Sequence, residues 1–226
     1  MTRRRGSTLI ELLVSMGILL TVLGVVFLLF GIGSRGFRTI EARQGLQNQL
    51  AAVRAAFQRD LQPSHFYGLG VDQTTSFSLH GVEQPRDALS AVALADWEAP
   101  GAQDLYGIPD WDCWAVYRVT KEAQGQLLRH TVTPAGGGHG RELLRAADDL
   151  GVLARSSALH AASWVRVSPP QVLARGVRAF DVRLDAAQRA VEIGLTLEGA
   201  TAPENPKRDV LTTSFFIRPH NTVPTD

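Results

Sequence analysis

The chain has 226 residues, of which 45% are hydrophobic and 20% are charged. This length suits one anchored segment and one modest globular domain, and it excludes a large multidomain enzyme. The 23 basic and 22 acidic side chains leave a net charge of +1, which excludes the strong positive charge typical of nucleic-acid-binding proteins. Cys113 is the single cysteine, so no internal disulfide can form and the fold is predicted to depend on packing.

The amino-terminal segment is far more apolar than the rest of the chain. Three arginines, Arg3 to Arg5, precede Gly6 and an apolar run that only Glu11 interrupts. About 23 uncharged residues follow Glu11, and as an α-helix they would be roughly 34 Å long, enough to span about 30 Å of hydrocarbon. Because the basic cluster lies before the span, the amino terminus is predicted to be cytoplasmic and the bulk of the chain exported.

Two simpler interpretations of this segment are less complete. A secretory signal peptide has an apolar core of about 7–15 residues and a small-residue cleavage site, whereas this run is longer and no such site follows it. A plain signal anchor explains the length and the charge but not Glu11. An ionisable group inside a membrane helix costs about 2.5–3.5 kcal/mol on insertion scales, so it usually marks a partner or a function. The Glu11 carboxylate therefore predicts a cationic partner.

The residues around Glu11 resemble the class III leader junction of type IV pilins and type II secretion pseudopilins. The matching string runs from Gly6 to Val14 and reads GSTLIELLV. The resemblance implies that a prepilin peptidase cuts after Gly6, that Ser7 becomes the N-methylated first residue, and that Glu11 is the family's glutamate at the fifth mature position. Ser7 stands where the family most often has phenylalanine.

The same resemblance implies a set of partners and a location. The partners are other pilin or pseudopilin subunits, the prepilin peptidase and methyltransferase, the inner-membrane assembly platform and membrane lipid, with no nucleic acid expected. The location is the cytoplasmic (inner) membrane, with one span and a periplasmic head, and a pilus or pseudopilus after assembly. Cleavage would expose an α-amine at Ser7, and Glu11 of a neighbouring subunit is predicted to pair with it, because pairing lowers the free-energy cost of each buried charge.

Apolar residues continue with helical spacing beyond the span. They lie at Leu46, Leu50, Val53, Phe57 and Leu61. The spacing predicts an amphipathic helix that extends to about Leu61, and Pro63 marks its end because proline cannot continue a helix interior. The glycines from Gly31 to Gly36 leave two interpretations open, either a continuous membrane helix or a local bend or melted turn.

The remainder of the chain is predicted to form an antiparallel β-sheet. Residues 114–120 and 126–133 indicate a hairpin, and alternation over 180–184, 191–197 and 211–217 indicates a three-stranded meander. Residues 63–109 and 134–140 are predicted to be long surface connections, with short strands possible in the first, and 141–150 a short helix. The predicted fold class is α+β and pilin-like.

The predicted divisions follow from these elements. They are a prepilin leader (1–6), a transmembrane and assembly helix (7–34), an amphipathic stalk helix (35–62) and a globular β-rich head (63–226). Roughly the last 55 residues, with VLARGVRAFDVRLD, VEIGLTLEG and VLTTSFFIRPHN, also resemble J-type minor pseudopilins and W-type minor pilins.

Catalytic and metal motifs are absent from the sequence. The histidines are scattered, at His65, His80, His130, His139, His160 and His220, and none belongs to a zinc motif. His130, in a predicted strand, is interpreted as structural. Asp110 and Asp112 could join a calcium site but lack the rest of an EF-hand loop, so packing of Trp111 or Trp114 under the sheet is favoured. Cys113 is interpreted as a partly buried thiol. The sequence therefore predicts no catalytic residue, no metal and no cofactor.

Together these observations favour a minor pilin-like structural subunit, not an enzyme. Two alternatives stay open, a membrane-tethered extracytoplasmic binding or hydrolase domain whose leader match is accidental, and a DNA-uptake (competence) minor pilin. Loss of residues 1–6 would leave 20 basic and 22 acidic side chains, a balance of about −2, so broad attraction for phosphate is not expected. A local basic patch around Arg175, Arg178 and Arg183 remains open.

Overall fold

The computed structural model describes most of the chain. The described residues are 8–73, 75–79, 81–96, 98–103, 108–138, 140, 143, 163–200 and 208–220. Gly6 and Ser7 lie outside them, as do His80, His139 and His160. The short helix predicted over 141–150 also lies outside them, apart from Leu143.

One helix, α1, extends from Leu9 to Leu61. It is continuous through the glycines at 31–36, which decides the open question there in favour of an unbroken helix. An unbroken helix pairs its backbone groups internally, as any segment that spans hydrocarbon must. The helix ends at its cap residue Gln62, directly before Pro63, as predicted.

In the described part of the chain, ten strands follow a short 3₁₀ turn at Phe66–Gly68. They are β1 (Leu69–Asp72), β2 (Ser76–Leu79), β3 (Val82–Pro85), β4 (Ala88–Ala93), β5 (Cys113–Val119), β6 (Gly125–Pro134), β7 (Val165–Val167), β8 (Gln171–Asp185), β9 (Ala190–Ala200) and β10 (Arg208–Ile217). Eight of them form one antiparallel sheet in the order β1-β4-β5-β6-β8-β9-β10, with β7 also paired to β6. Strands β2 and β3 form a separate hairpin.

The sheet has an apolar cluster on each face. The larger cluster packs under the second half of α1 and takes in Phe57, Tyr117 and Phe180. The smaller cluster lies around Trp111 and Trp114. Alternate residues of β4 and β5 enter the two clusters, so these strands are covered on both faces. Their burial is therefore nearly continuous along the strand.

The predicted hairpin and meander are confirmed. Strands β5 and β6 pair directly, and β8, β9 and β10 form the antiparallel meander. The short strands left possible over 63–109 are present as the four-residue β1, β2 and β3, whereas the prediction of a surface connection was wrong for the buried strand β4. Strand β4 is fully buried, and its sequence ALSAVA carries no alternation. Alanine and serine are also weak strand formers, so neither sequence signal was present.

The structure is therefore α+β and pilin-like in architecture, as the sequence predicted. A long amino-terminal helix projects from an antiparallel sheet and uses only its second half to pack against that sheet.

Candidate functional site

Glu11 lies in the first turn of α1 and forms a reciprocal capping box with Thr8. The Thr8 amide donates to Oε2 of Glu11 at 3.0 Å, and the Glu11 amide donates to Oγ1 of Thr8 at 3.4 Å. The Thr-x-x-Glu spacing before an apolar run is a known sequence signature of such a box, but the sequence reasoning overlooked it. Both residues are exposed, and no described residue donates a hydrogen bond to Oε1 of Glu11, which leaves it available to a further donor.

Gly6 and Ser7 belong to the same site by sequence only, since they lie outside the described residues. Thr8, the first described residue, caps the helix in an extended conformation with φ −74° and ψ 149°. The predicted cleavage junction therefore immediately precedes the helix start. Two residues separate Gly6 from the first helical residue, Leu9.

The first half of α1 is long and apolar enough to cross a membrane. The candidate span covers Leu9–Ser34, 26 residues, and no residue in an 18-residue apolar stretch of it is buried. The hydroxyls within it are satisfied locally, as Ser15 and Thr21 donate to carbonyl oxygens of Glu11 and Gly17 at 2.7 and 2.8 Å. Such bonds satisfy hydroxyl donors that would otherwise be unpaired in hydrocarbon.

The second half of α1 is held by a predicted apolar stripe and by a buried charge cluster that was not predicted. Asp60, only 4% exposed, accepts from Tyr117 Oη and Arg129 Nε, each at 2.6 Å, and from Arg59 Nε at 2.9 Å. Burial raises the pKa of Asp60, but hydrogen bonds from Arg129, Arg59 and Tyr117 outweigh it and lower the pKa below its ordinary value. The cluster joins the end of α1 to β5 and β6.

Arg86 is a second buried charge that sequence reasoning missed. Its Nη1 donates to the carbonyl oxygens of Thr120 and Glu122, both at 2.6 Å, and its guanidinium lies 4.3 Å from the ring centroid of Phe77. Burial lowers the pKa of Arg86. Arg86 therefore connects the turn before β6 to the β2–β3 hairpin, a structural role in the head.

The residues considered for chemistry have structural surroundings. His130 is fully buried, and its Nε2 accepts from Arg118 Nε at 3.1 Å, which supports the structural interpretation. Cys113 is completely buried, more than predicted, and burial raises the pKa of its thiol. Oδ1 of Asp112 accepts from the Ala95 amide at 2.8 Å. Within the described part of the chain, no three His, Cys, Asp or Glu side chains group as metal ligands do.

Two members of the basic patch left open by the sequence are paired with carboxylates. Arg178 lies 3.2 Å from Glu198, and Arg183 lies 3.0 Å from Asp181. The backbone amide of Arg175 donates to Gln49 Oε1 of α1 at 2.9 Å. These nearby acids offset much of the positive potential that a phosphate backbone would need.

Comparison with known families bears on the amino-terminal half of this site. A model of the prokaryotic N-terminal methylation motif matches residues 1–27. The chain carries a pilin-type leader. The match includes Gly6, Ser7 and Glu11, and the motif indicates a pilin-like protein that prepilin peptidase processes. The leader and the apolar helix fit a single-pass membrane-anchored protein. Comparison with curated proteins and with solved structures gives no match.

Proposed function

We propose that this chain is a minor pilin-like subunit of a type II secretion pseudopilus or a type IV pilus, at the tip or in the initiation complex. Its precursor enters the cytoplasmic membrane, is cut after Gly6, is methylated at Ser7, and joins the filament through α1. The carrying observation is Glu11, a carboxylate at the start of the apolar span Leu9–Ser34, whose apolar stretch is not buried against the described part of the head.

Glu11 supplies the assembly contact in this proposal. Cleavage after Gly6 makes the Ser7 α-amine, a cation near neutral pH, and places it four residues before Glu11. Within one helix the carboxylate bonds back to Thr8, which occupies Oε2. The other oxygen accepts the amine of a neighbouring subunit, and low dielectric makes this pairing far better than two isolated charges. The pair thereby sets one axial register between neighbouring helices.

The assignment to a subclass rests on the carboxy-terminal strands. Strands β8, β9 and β10 carry the block that resembles J-type minor pseudopilins and W-type minor pilins. We propose that this meander forms the part of the head that neighbouring subunits meet. The prepilin peptidase and methyltransferase, the inner-membrane assembly platform and other pilin subunits are the proposed partners.

Mass spectrometry of the protein from its own membranes tests the processing step. We expect a mature chain that begins at Ser7, lacks residues 1–6 and carries one added methyl group. The same protein from cells without prepilin peptidase is the control and should retain its leader. An uncut chain in cells with active peptidase would contradict the proposal and favour the membrane-tethered binding or hydrolase domain.

A substitution at Glu11 tests the assembly step separately. Glu11→Val should be cleaved normally yet recovered in sheared filaments at no more than about a tenth of the wild-type amount, because the amine loses its counter-ion. Glu41→Val removes an exposed acid from the same helix and is the matched control, with wild-type recovery expected. Normal assembly of processed Glu11→Val would contradict the role of Glu11.

A further inference from the structure

The two edges of the main sheet differ in how they are protected. Edge strand β1 has only four residues and contains the buried Asp72, two features that discourage further strand pairing. Edge strand β10 has ten residues, and from Val210 to Ile217 it contains no charge, proline or glycine. No strand among the described residues lies beyond β10. A long, uncharged, β-prone edge of this kind is a template for another strand.

The apolar layer under α1 is also incomplete at β10. The inward residues of neighbouring β9, among them Ile193 and Leu195, are at most 1% exposed. The inward residues Leu211 and Phe215 of β10 are only half-buried, although they pack against the same core. On the other face Phe216 is 62% exposed. One more strand beside β10 would cover these side chains, as β10 itself covers those of β9.

A groove lies between α1 and β10, where the inward side chains of such a strand would enter. Its volume is about 270 Å³, and it is lined by Arg43, Leu46, Gln47, Asp209, Val210 and Leu211. Arg43 and Asp209 pair with each other across the groove at 3.2 Å, so their charges are already balanced. The groove therefore favours uncharged side chains over charged ones, and apolar Leu46, Val210 and Leu211 form half of its lining.

Strand β10 runs in the same direction as α1. Near the start of β10, Asp209 pairs with Arg43 of α1. Near its end, the ring of Phe215 lies 5.8 Å from that of Phe57, centroid to centroid, and just beyond the strand the chain bonds to Gln62 at the end of α1. The strand thus runs away from the proposed membrane. Two copies anchored in one membrane both carry β10 in this direction, so they cannot pair these edges in the antiparallel arrangement of a two-fold dimer.

We propose that the β10 edge binds an extended strand of a different polypeptide, which runs toward the membrane and pairs antiparallel with Val210–Ile217. The partner strand places alternate uncharged, apolar side chains in the α1–β10 groove. Exposed Arg218, at the membrane-distal end, favours a carboxylate near the start of the partner strand. The inference rests on the proposed membrane anchoring but not on cleavage or methylation.

A synthetic peptide with the sequence of β9, residues 190–199, is a suitable probe because this sequence already pairs antiparallel with β10. Its binding to the full chain in detergent micelles is measured by fluorescence anisotropy. Successive backbone N–H groups of a strand point to opposite edges. One of the two substitutions Thr212→Pro and Thr213→Pro therefore removes an N–H that faces the open edge, and the other removes an N–H that faces β9. The thermal unfolding midpoints of the two variants are compared. The variant with the higher midpoint is the outward one, because it keeps the N–H that faces β9.

We expect the wild-type chain to bind the peptide and the outward proline variant to bind it at least about tenfold more weakly. Val172→Lys, at a 41% exposed position on the interior strand β8, is the control and should bind as the wild type does. No binding by the wild type, or equal binding by the outward proline variant, would overturn the proposal.

Cross-linking in membranes tests whether a second copy is the occupant. Ser214→Cys places a thiol on exposed β10, while the native Cys113 is fully buried and does not compete. We expect no disulfide-linked homodimer on mild oxidation, and a homodimer would overturn the choice of a different polypeptide. Membrane extraction of the same sample reports anchoring independently, and the cleavage assay reports processing, so failure of the edge proposal is distinguishable from failure of the proposed function.

Discussion

The two halves of α1 share one backbone conformation but have opposite surroundings. Large apolar side chains from Leu9 to Ile32 are 47–80% exposed, whereas Val53, Phe57 and Leu61 are completely buried. Both halves form a helix because helix formation depends on local hydrogen bonds and side-chain entropy. Among the described residues, only the second half of α1 has an apolar surface of the same chain to pack against. The exposed apolar surface of the first half is suited to contact with lipid or with another helix.

The difference separates two kinds of stability. Burial against the sheet stabilises the folded head, and each apolar side chain there contributes through transfer and packing. An exposed apolar side chain in the first half contributes nothing to the head, although it contributes to insertion or assembly. Matched substitutions in the two halves therefore test whether only the second half stabilises the head.

The largest expected effect is that of Phe57→Ala. This ring lies 4.4 Å from the Tyr117 ring and stacks on Phe180 at 6.0 Å, so its removal leaves a cavity. We expect the free energy of unfolding of the head to fall by about 3–5 kcal/mol. Denaturant unfolding of the full chain in micelles, followed by tryptophan fluorescence, measures it. Phe27→Ala, at a 69% exposed position, is the control and should leave the unfolding midpoint unchanged.

Breaking the buried charge cluster should have the next largest effect. Asp60→Ala removes the acceptor of Arg129 Nε and leaves a guanidinium that is only 14% exposed without its carboxylate. The expected loss is about 3 kcal/mol by the same denaturation measurement. In the double variant Asp60→Asn with Arg129→Met neither charge is left uncompensated, so it should lose less. A double variant that is less stable than Asp60→Ala would show that the pair itself is net stabilising.

A smaller effect is expected from pH at Asp87, the residue directly before β4. Burial raises the pKa of Asp87 to about 6, with smaller raising contributions from Asp181 and Asp72, against a hydrogen bond from the Val182 amide that lowers it. Since the unfolded chain has an ordinary, lower pKa, the folded state binds the proton more tightly between about pH 4 and 6. This group should therefore increase the unfolding free energy by about 2 kcal/mol as pH falls from 7 to 4.

The substitution Asp87→Asn isolates this contribution, because the amide stays neutral and can still accept from the Val182 amide. The variant should be more stable than the wild type at pH 7, and the difference should shrink by about 2 kcal/mol at pH 4. Denaturation at the two pH values measures it. A pH-independent difference between the two proteins would show that Asp87 does not titrate in this range.

The local sequence predicted the helix end from Pro63, the β5–β6 hairpin from two β-prone runs separated by a segment ending in Gly125, and the meander from apolar alternation. It failed for β4, since a strand buried on both faces needs no alternation, and ALSAVA has none. At the candidate site the sequence identified Glu11 and its offset from Gly6. It predicted an intersubunit partner for the carboxylate and overlooked Thr8, which lies three residues away in the same chain.

By itself, the sequence determined the leader, the apolar span, the length of α1 and the strands that alternate, because all of these depend on residues close together in the chain. Only the tertiary structure decided which half of α1 packs, how Asp60 meets Arg129 across 69 residues, and that β10 is the last strand of the sheet among the residues described. Such contacts arise when a sheet brings distant segments together, and nothing in the local sequence of either segment specifies the other.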